Sequence, residues 1–289
     1  MKRIWIGMVL IVGLLHPLRA QEFGTLLFEV KHPNSDKVSY LFGTHHAFSK
    51  SFFDTLSVAK TKLLTAETVV LESLDIPGKN SEDIINVRPK RTSWKSYLDK
   101  DDLAYVRNLL SKSPVDFEKM LPAELHATLY RIYNIKKCKT RSDVDPDLSL
   151  DGYVGALAKT NGKALIGLES VAEQLDIMAK DLAGMPRRIH KRRLAAIVYR
   201  LRNETATVNC EEVNVYKNQQ FDFQLEADCK NAVMLTDRNS RWMETLPELL
   251  LRKNCFVAVG LSHLRFKCGL IAQLREKGFL VTVLPSIQS

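Results

Sequence analysis

The chain has 289 residues, 45% hydrophobic and 26% charged, with 13 Gly and 10 Pro. That much apolar surface offsets chain entropy, so disorder and collagen-like repeats are excluded, and the length fits one large domain or two small ones. Its 42 basic and 33 acidic side chains give a net charge of +9, a figure that depends on how the amino terminus is read.

Residues 1–20 have the form of a secretory signal. Lys2 and Arg3 make a basic start, Ile4 to Leu15 an apolar stretch, and Pro17-Leu18-Arg19-Ala20 a processing end. The apolar run of about 12 residues falls short of the roughly 20 that cross a bilayer, so a cleaved leader is expected rather than an anchor. Without Lys2, Arg3 and Arg19, the 42 basic side chains become 39 against 33 acidic, a charge of +6. The expectation is an exported protein, periplasmic or secreted, with residues 21–289 as one domain. No nucleic-acid partner is expected outside the cell.

After the leader, Leu26 to Val30 and Val38 to Phe42 alternate like strands around a turn at His32 to Asp36, which predicts a hairpin. A helical pattern from Ser57 to Thr68 leads into a short strand, Val69 to Glu72. Helices are predicted over Asp101 to Ser111, Pro122 to Lys136 and Ser149 to Thr160 from apolar spacings of three and four. Lys163 to Glu169 reads as a buried strand. Long helical stretches follow at Val171 to Leu182, Arg188 to Arg202 and Glu211 to Leu251. Cys255 to Val259 is an apolar strand, and a helix over Leu264 to Lys277 and a strand over Phe279 to Leu284 close the chain. Strands at both ends around a helical middle predict an α/β fold: a mixed β-sheet flanked by helices, with residues 171–251 as a helical cap insertion.

Five cysteines, Cys138, Cys210, Cys229, Cys255 and Cys268, show no Cys-x-x-Cys spacing, and in an oxidising compartment they can form disulfides. Cys255 with Cys268 is the preferred bridge, since it would fasten both sides of residues 260–263. The alternative is that some are small buried hydrophobes.

Two segments share one form, an apolar strand followed by Gly-x-x-His: Leu41 to His46 and Val257 to His263. Two other strands end in a carboxylate, at Glu72 and Glu169. Parallel strands bring their carboxyl-end loops to one edge, so these four positions can meet. Glycine in each motif allows a tight exit or a close backbone approach. Two imidazoles with one or two carboxylates suit a divalent transition metal that activates water, and a free carboxylate can act as base. No His-Glu-x-x-His, P-loop or Gly-x-Gly-x-x-Gly is present, and Ser262 lacks the closing glycine of a nucleophile elbow. Asp143 to Asp147 has calcium-loop acid spacing, but Leu148 stands where the loop needs Gly, so an acidic turn is expected. The basic segment Arg187 to Arg193 reads as a solvated helix face, or as a contact for an anionic membrane surface or acidic partner.

These residues, taken in order, resemble the TraB/PrgY/GumN family, which includes the Tiki proteases. The resemblance rests on Tyr40 to His46, Val69 to Glu72, Asp151 opening a helix before Gly162-Lys163, Gly167-Leu168-Glu169 followed by Glu173-Gln174, Arg238-Asn239, Val257 to Leu264, and Leu274 to Phe279. It departs at Leu261, where the family commonly has a small residue, and at Phe266, where it has Gly. The resemblance implies a metal-dependent hydrolase acting on a peptide or protein, with Mn2+ or Co2+ as the ion and Zn2+ as a further candidate. His46, His263 and Glu72 become the metal ligands, and His46 is preferred over His45 because both motifs then keep one spacing. Glu169 becomes a further ligand or base, while Arg238 and Asn239 orient substrate or stabilise oxyanion charge. The alternative is a non-catalytic protein of the same fold that binds a peptide or a haem-like ligand.

Overall fold

The computed structural model describes residues 24–220 and 222–287; the leader assigned to residues 1–20 lies outside them. In chain order the elements are β1 (Leu27–Lys31), β2 (Val38–Thr44), α1 (Lys50–Thr55), α2 (Ser57–Thr65), β3 (Thr68–Leu71), α3 (Ser81–Asn86), α4 (Lys100–Leu109), α5 (Pro122–Cys138) and α6 (Leu150–Thr160). They continue with β4 (Ala164–Gly167), α7 (Val171–Asp181), α8 (Arg187–Arg202), α9 (Glu211–Lys217), α10 (Asp237–Trp242), α11 (Leu246–Arg252), β5 (Cys255–Gly260), α12 (Leu270–Glu276) and β6 (Leu280–Leu284).

The six strands form a mixed sheet in the order β4-β3-β5-β2-β1-β6. β4, β3, β5 and β2 run parallel, while β1 pairs antiparallel with both β2 and β6, so the predicted hairpin is present. β5 is central because nearly all of Cys-Phe-Val-Ala-Val-Gly is buried, as a strand covered on both faces requires. β4, read as buried, is the edge strand, and none of its residues is fully buried. Phe256 stacks near Phe42, with ring centroids 5.7 Å apart. Truncating such a buried aromatic costs about 3–5 kcal/mol.

One hydrophobic cluster follows the sheet; a second joins Ile85, Trp94, Leu103, Leu125 and Tyr133 to Leu194, Ile197 and Leu201. This helical layer therefore draws on α3, α4 and α5 as well as α8. Along α8, Arg187, Arg188, Lys191 and Arg192 are exposed and form no ion pair among the described residues, while Arg193 turns inward towards His126. Among the described residues no helix is long and apolar enough to cross a membrane.

Two expectations of long helices are corrected. Residues 211–251 break after α9, where Gln219 and Gln224 take left-handed backbone conformations (φ 55° and 50°), and resume through a π-helical turn at Ala232–Thr236. The last helix begins at Leu270 rather than Leu264, because Phe266 is also left-handed (φ 69°) and Gly269 caps the start.

The preferred disulfide is also corrected. The bridges are Cys138–Cys210 and Cys229–Cys268, with Cα atoms 5.6 Å and 6.0 Å apart, and Cys255 is a free, buried thiol. Cys255 opens β5 at the amino edge of the sheet, whereas Cys268 follows its carboxyl edge. A strand rises about 3.3 Å per residue, which carries the two beyond the reach of a disulfide.

Candidate active site

The register of the parallel strands sets the two Gly-x-x-His motifs side by side, with Gly43 opposite Val259 and Thr44 opposite Gly260. Both glycines serve close approach. A Cβ on Gly43 would meet Leu261 Cδ1 at 2.8 Å, and one on Gly260 would meet Glu72 Oε1 at 3.1 Å. The backbone N–H of Gly260 donates to Glu72 Oε1 at 2.7 Å, so the second motif holds the carboxylate that ends β3.

His263 is buried (3% exposed), and both its ring nitrogens are engaged. The Asn239 amide nitrogen donates to the backbone carbonyls of His263 and Cys268, which leaves its oxygen as acceptor for His263 Nδ1 at 2.7 Å. On the other side Arg238 Nη1 lies 2.9 Å from His263 Nε2 and can only donate. Both contacts require the neutral Nδ1–H tautomer, with the Nε2 lone pair facing Arg238. Burial pushes His263 down to about 4, in keeping with that state.

Arg238 is buried at the start of α10, just after the π-helical turn, a local geometry that often marks functional sites. Nε and Nη2 donate to Glu169, Nη2 also donates to Glu72 Oε2 at 2.7 Å, and the guanidinium lies over the Trp242 ring. Four of its five N–H groups are thus committed, counting the one on His263, and one on Nη1 remains. Glu72 receives a further bond from Gln174 Nε2 at 3.2 Å. Burial pushes Glu72 up, but its basic neighbours, the cations Arg238 and His46 among them, outweigh it and hold the carboxyl below its ordinary range.

His46 projects into the cavity with 64% of its side chain accessible, and its Nδ1 lies 2.7 Å from Asp151 Oδ2. The contact is an ion pair lacking hydrogen-bond alignment, and that buried oxygen has no other partner. Thr44 Oγ1 donates to the second Asp151 oxygen. The Asp151 charge raises His46 to about 9. For Asp151, burial acts upward, but the His46 charge and hydrogen bonds prevail and leave it at about 2. His45 instead packs against Phe48 and Tyr216, and burial lowers its pKa.

These groups open on a cavity of about 790 Å3 between the carboxyl edge of the sheet and helices α5 and α9. His46, Glu72, Arg238 and His263 line it; Glu169 and Asn239 do not. The Glu169 side chain, 2% exposed, anchors Arg238, and Asn239, fully buried, fixes the His263 ring. Both therefore position other groups and do not line the cavity. Sequence reasoning gave Asp151 no chemical role, although its place in the first turn of a helix N-capped by Ser149 was visible. It also passed over Arg131 and Arg200, which line the cavity without a carboxylate partner among the described residues.

The donor set His46, His263 and Glu72 has the composition of a metal site, and both imidazoles have Nδ1 engaged by an oxygen, as metal-ligating histidines do. Its arrangement does not fit a metal. Arg238 covers the His263 lone pair and bonds Glu72, and among the described residues no three His, Cys, Asp or Glu side chains converge as ligands.

A sequence profile described as the TraB/PrgY/gumN family matches residues 26–283, nearly the whole chain. No curated protein and no solved structure gives a significant match.

Proposed function

The chain belongs to the TraB/PrgY/gumN family, and from that premise we propose that it is an exported hydrolase that cleaves peptide bonds. The observation that carries this reading is the opposition, in one cavity, of a protonated His46 and an ionised Glu72, beside an Arg238 with one uncommitted N–H. Environments that push titratable groups apart are how a site assigns acid and base.

In this reading Glu72 takes a proton from water as the water oxygen bonds to the substrate carbonyl carbon. The carbonyl π pair moves to oxygen, where the remaining Arg238 N–H receives it. The oxyanion pair then re-forms the carbonyl as the C–N bond breaks, the leaving nitrogen takes the His46 Nε2 proton, and the proton on Glu72 returns through water to His46. His263, held neutral, fixes the guanidinium. A cavity of about 790 Å3 accepts a short peptide segment. The exposed cations of α8 support a setting next to an anionic membrane surface or an acidic partner.

The test is cleavage of a peptide library by purified protein, with and without chelator, alongside His46→Ala and Glu72→Gln. Turnover that both substitutions abolish supports the reading. No cleavage under either condition, together with retention of an intact peptide or haem, would establish the non-catalytic binding alternative instead.

A further inference from the structure

The family resemblance calls for a divalent ion held by His46, His263 and Glu72, and the His263–Glu72 side of that place is filled by a side chain. Arg238 lies 2.9 Å from His263 Nε2 and 2.7 Å from Glu72 Oε2, and it closes the network on Glu169. We infer that Arg238 is the resident cation of this site and excludes a metal ion from the His263–Glu72 position.

Three observations support this. First, Arg238 is 5% exposed and its guanidinium is braced by the Trp242 ring, whose Nε1 also donates to Glu169 at 3.3 Å. It is a packed component of the fold, unlike a mobile surface arginine. Second, the carboxylate oxygens an ion would need already have partners: Arg238 reaches both Glu72 and Glu169, Glu72 Oε1 accepts from the Gly260 N–H at 2.7 Å, and Glu72 Oε2 also accepts from Gln174 at 3.2 Å. Third, His263 Nε2 and Glu72 Oε1 are 3.8 Å apart with Arg238 against both residues, and a metal reaching Nε2 would have to displace a hydrogen bond from a guanidinium that has nowhere else to go. Removing one partner of a buried charge network leaves the others uncompensated, which is the condition under which a site takes up an ion from solution.

The experiment titrates chelator-treated, purified protein with cobalt(II), following visible ligand-field absorption, equilibrium dialysis and melting temperature. It uses no substrate, so its failure and that of the hydrolase reading are separate results. The expected result is no stoichiometric cobalt and no shift in melting temperature for the wild type and for Arg238→Lys, which keeps the charge. Arg238→Ala should bind cobalt about 10–100-fold more tightly, the range over which neighbours of a metal site set its affinity. It should also melt higher with cobalt than without. If Arg238→Ala does not fold, the wild type and Arg238→Lys carry the test. A wild type that takes up one cobalt per chain, as tightly as Arg238→Ala or in the absence of a folded Arg238→Ala, would overturn the inference.

Discussion

Asp151 Oδ2 stands 2.7 Å from His46 Nδ1, tying the first turn of α6 to the loop that leaves β2. The contact makes His46 a cation at neutral pH, because the Asp151 charge is the main cause of its rise to about 9. Asp151→Asn keeps the shape and removes the charge. His46 should then titrate at or below its ordinary 6.5, read by NMR of the imidazole, and turnover should fall by about 100-fold or more. A variant whose His46 still titrates near 9 would show that another group holds the proton.

The two motif histidines should shape the pH dependence of stability in opposite directions. His46 is raised from 6.5 to about 9, so its contribution is full below pH 6.5 and is lost as pH climbs through 9. His263 is lowered to about 4. The unfolded chain binds its proton first, and stability is lost as pH falls from 6.5 towards 4. Urea unfolding across this range should show His46→Gln flattening the alkaline limb and His263→Gln the acid limb. If both substitutions altered the same limb, the protonation states assigned to the pair would be wrong.

Reduction should loosen the site as well as the fold. Cys229–Cys268 closes 39 residues and fastens the segment that follows His263, while Cys138–Cys210 closes 72 and joins α5 to α9. Replacing either pair by serine should lower stability by about 2–4 kcal/mol in denaturant titrations. Peptide mapping of the oxidised protein should find Cys255 as the free thiol, slow to alkylate because burial pushes it up to about 11.

Gly269→Ala should be far more disruptive than its size implies. An added Cβ would lie 2.3 Å from the Arg265 carbonyl oxygen and 2.7 Å from the Leu264 carbonyl, both backbone atoms with no freedom to give way. Overpacking of this kind costs about 1–3 kcal/mol or more. Gly78→Ala makes a useful comparison, because nothing lies within 4 Å of the added carbon and only the positive φ of 79° opposes it. Equal melting temperatures for the wild type and Gly269→Ala would contradict the close approach.

The sheet and the Gly-x-x-His pair were legible because each depends on a short run: an apolar strand, a glycine and a histidine close behind it. Glu72 could be read for the same reason. What escaped were properties created by distance along the chain. Asp151 looks like an ordinary acidic residue in a helix start until β2 lies beside α6, and Glu169 looks like a second Glu72 until Arg238 claims it. The expected bridge was to fasten both sides of residues 260–263, but strand β5 carries Cys255 and Cys268 to opposite edges of the sheet, and Cys268 pairs with Cys229. Residues 211–251 keep helical apolar spacing, yet left-handed turns at Gln219 and Gln224 redirect the chain so that Arg238 arrives at the cavity.

β5 lies between β3 and β2, yet it is made after both and after every helix except α12. A chain emerging in order from a ribosome or translocation pore has no centre to its sheet until residue 260 is out, and this non-local pairing is of the slow-forming kind. His46, Glu72 and Arg238 are therefore all synthesised well before they can meet. The cavity is thus completed only when β5 takes its place between β3 and β2, whatever the order in which its lining residues were made.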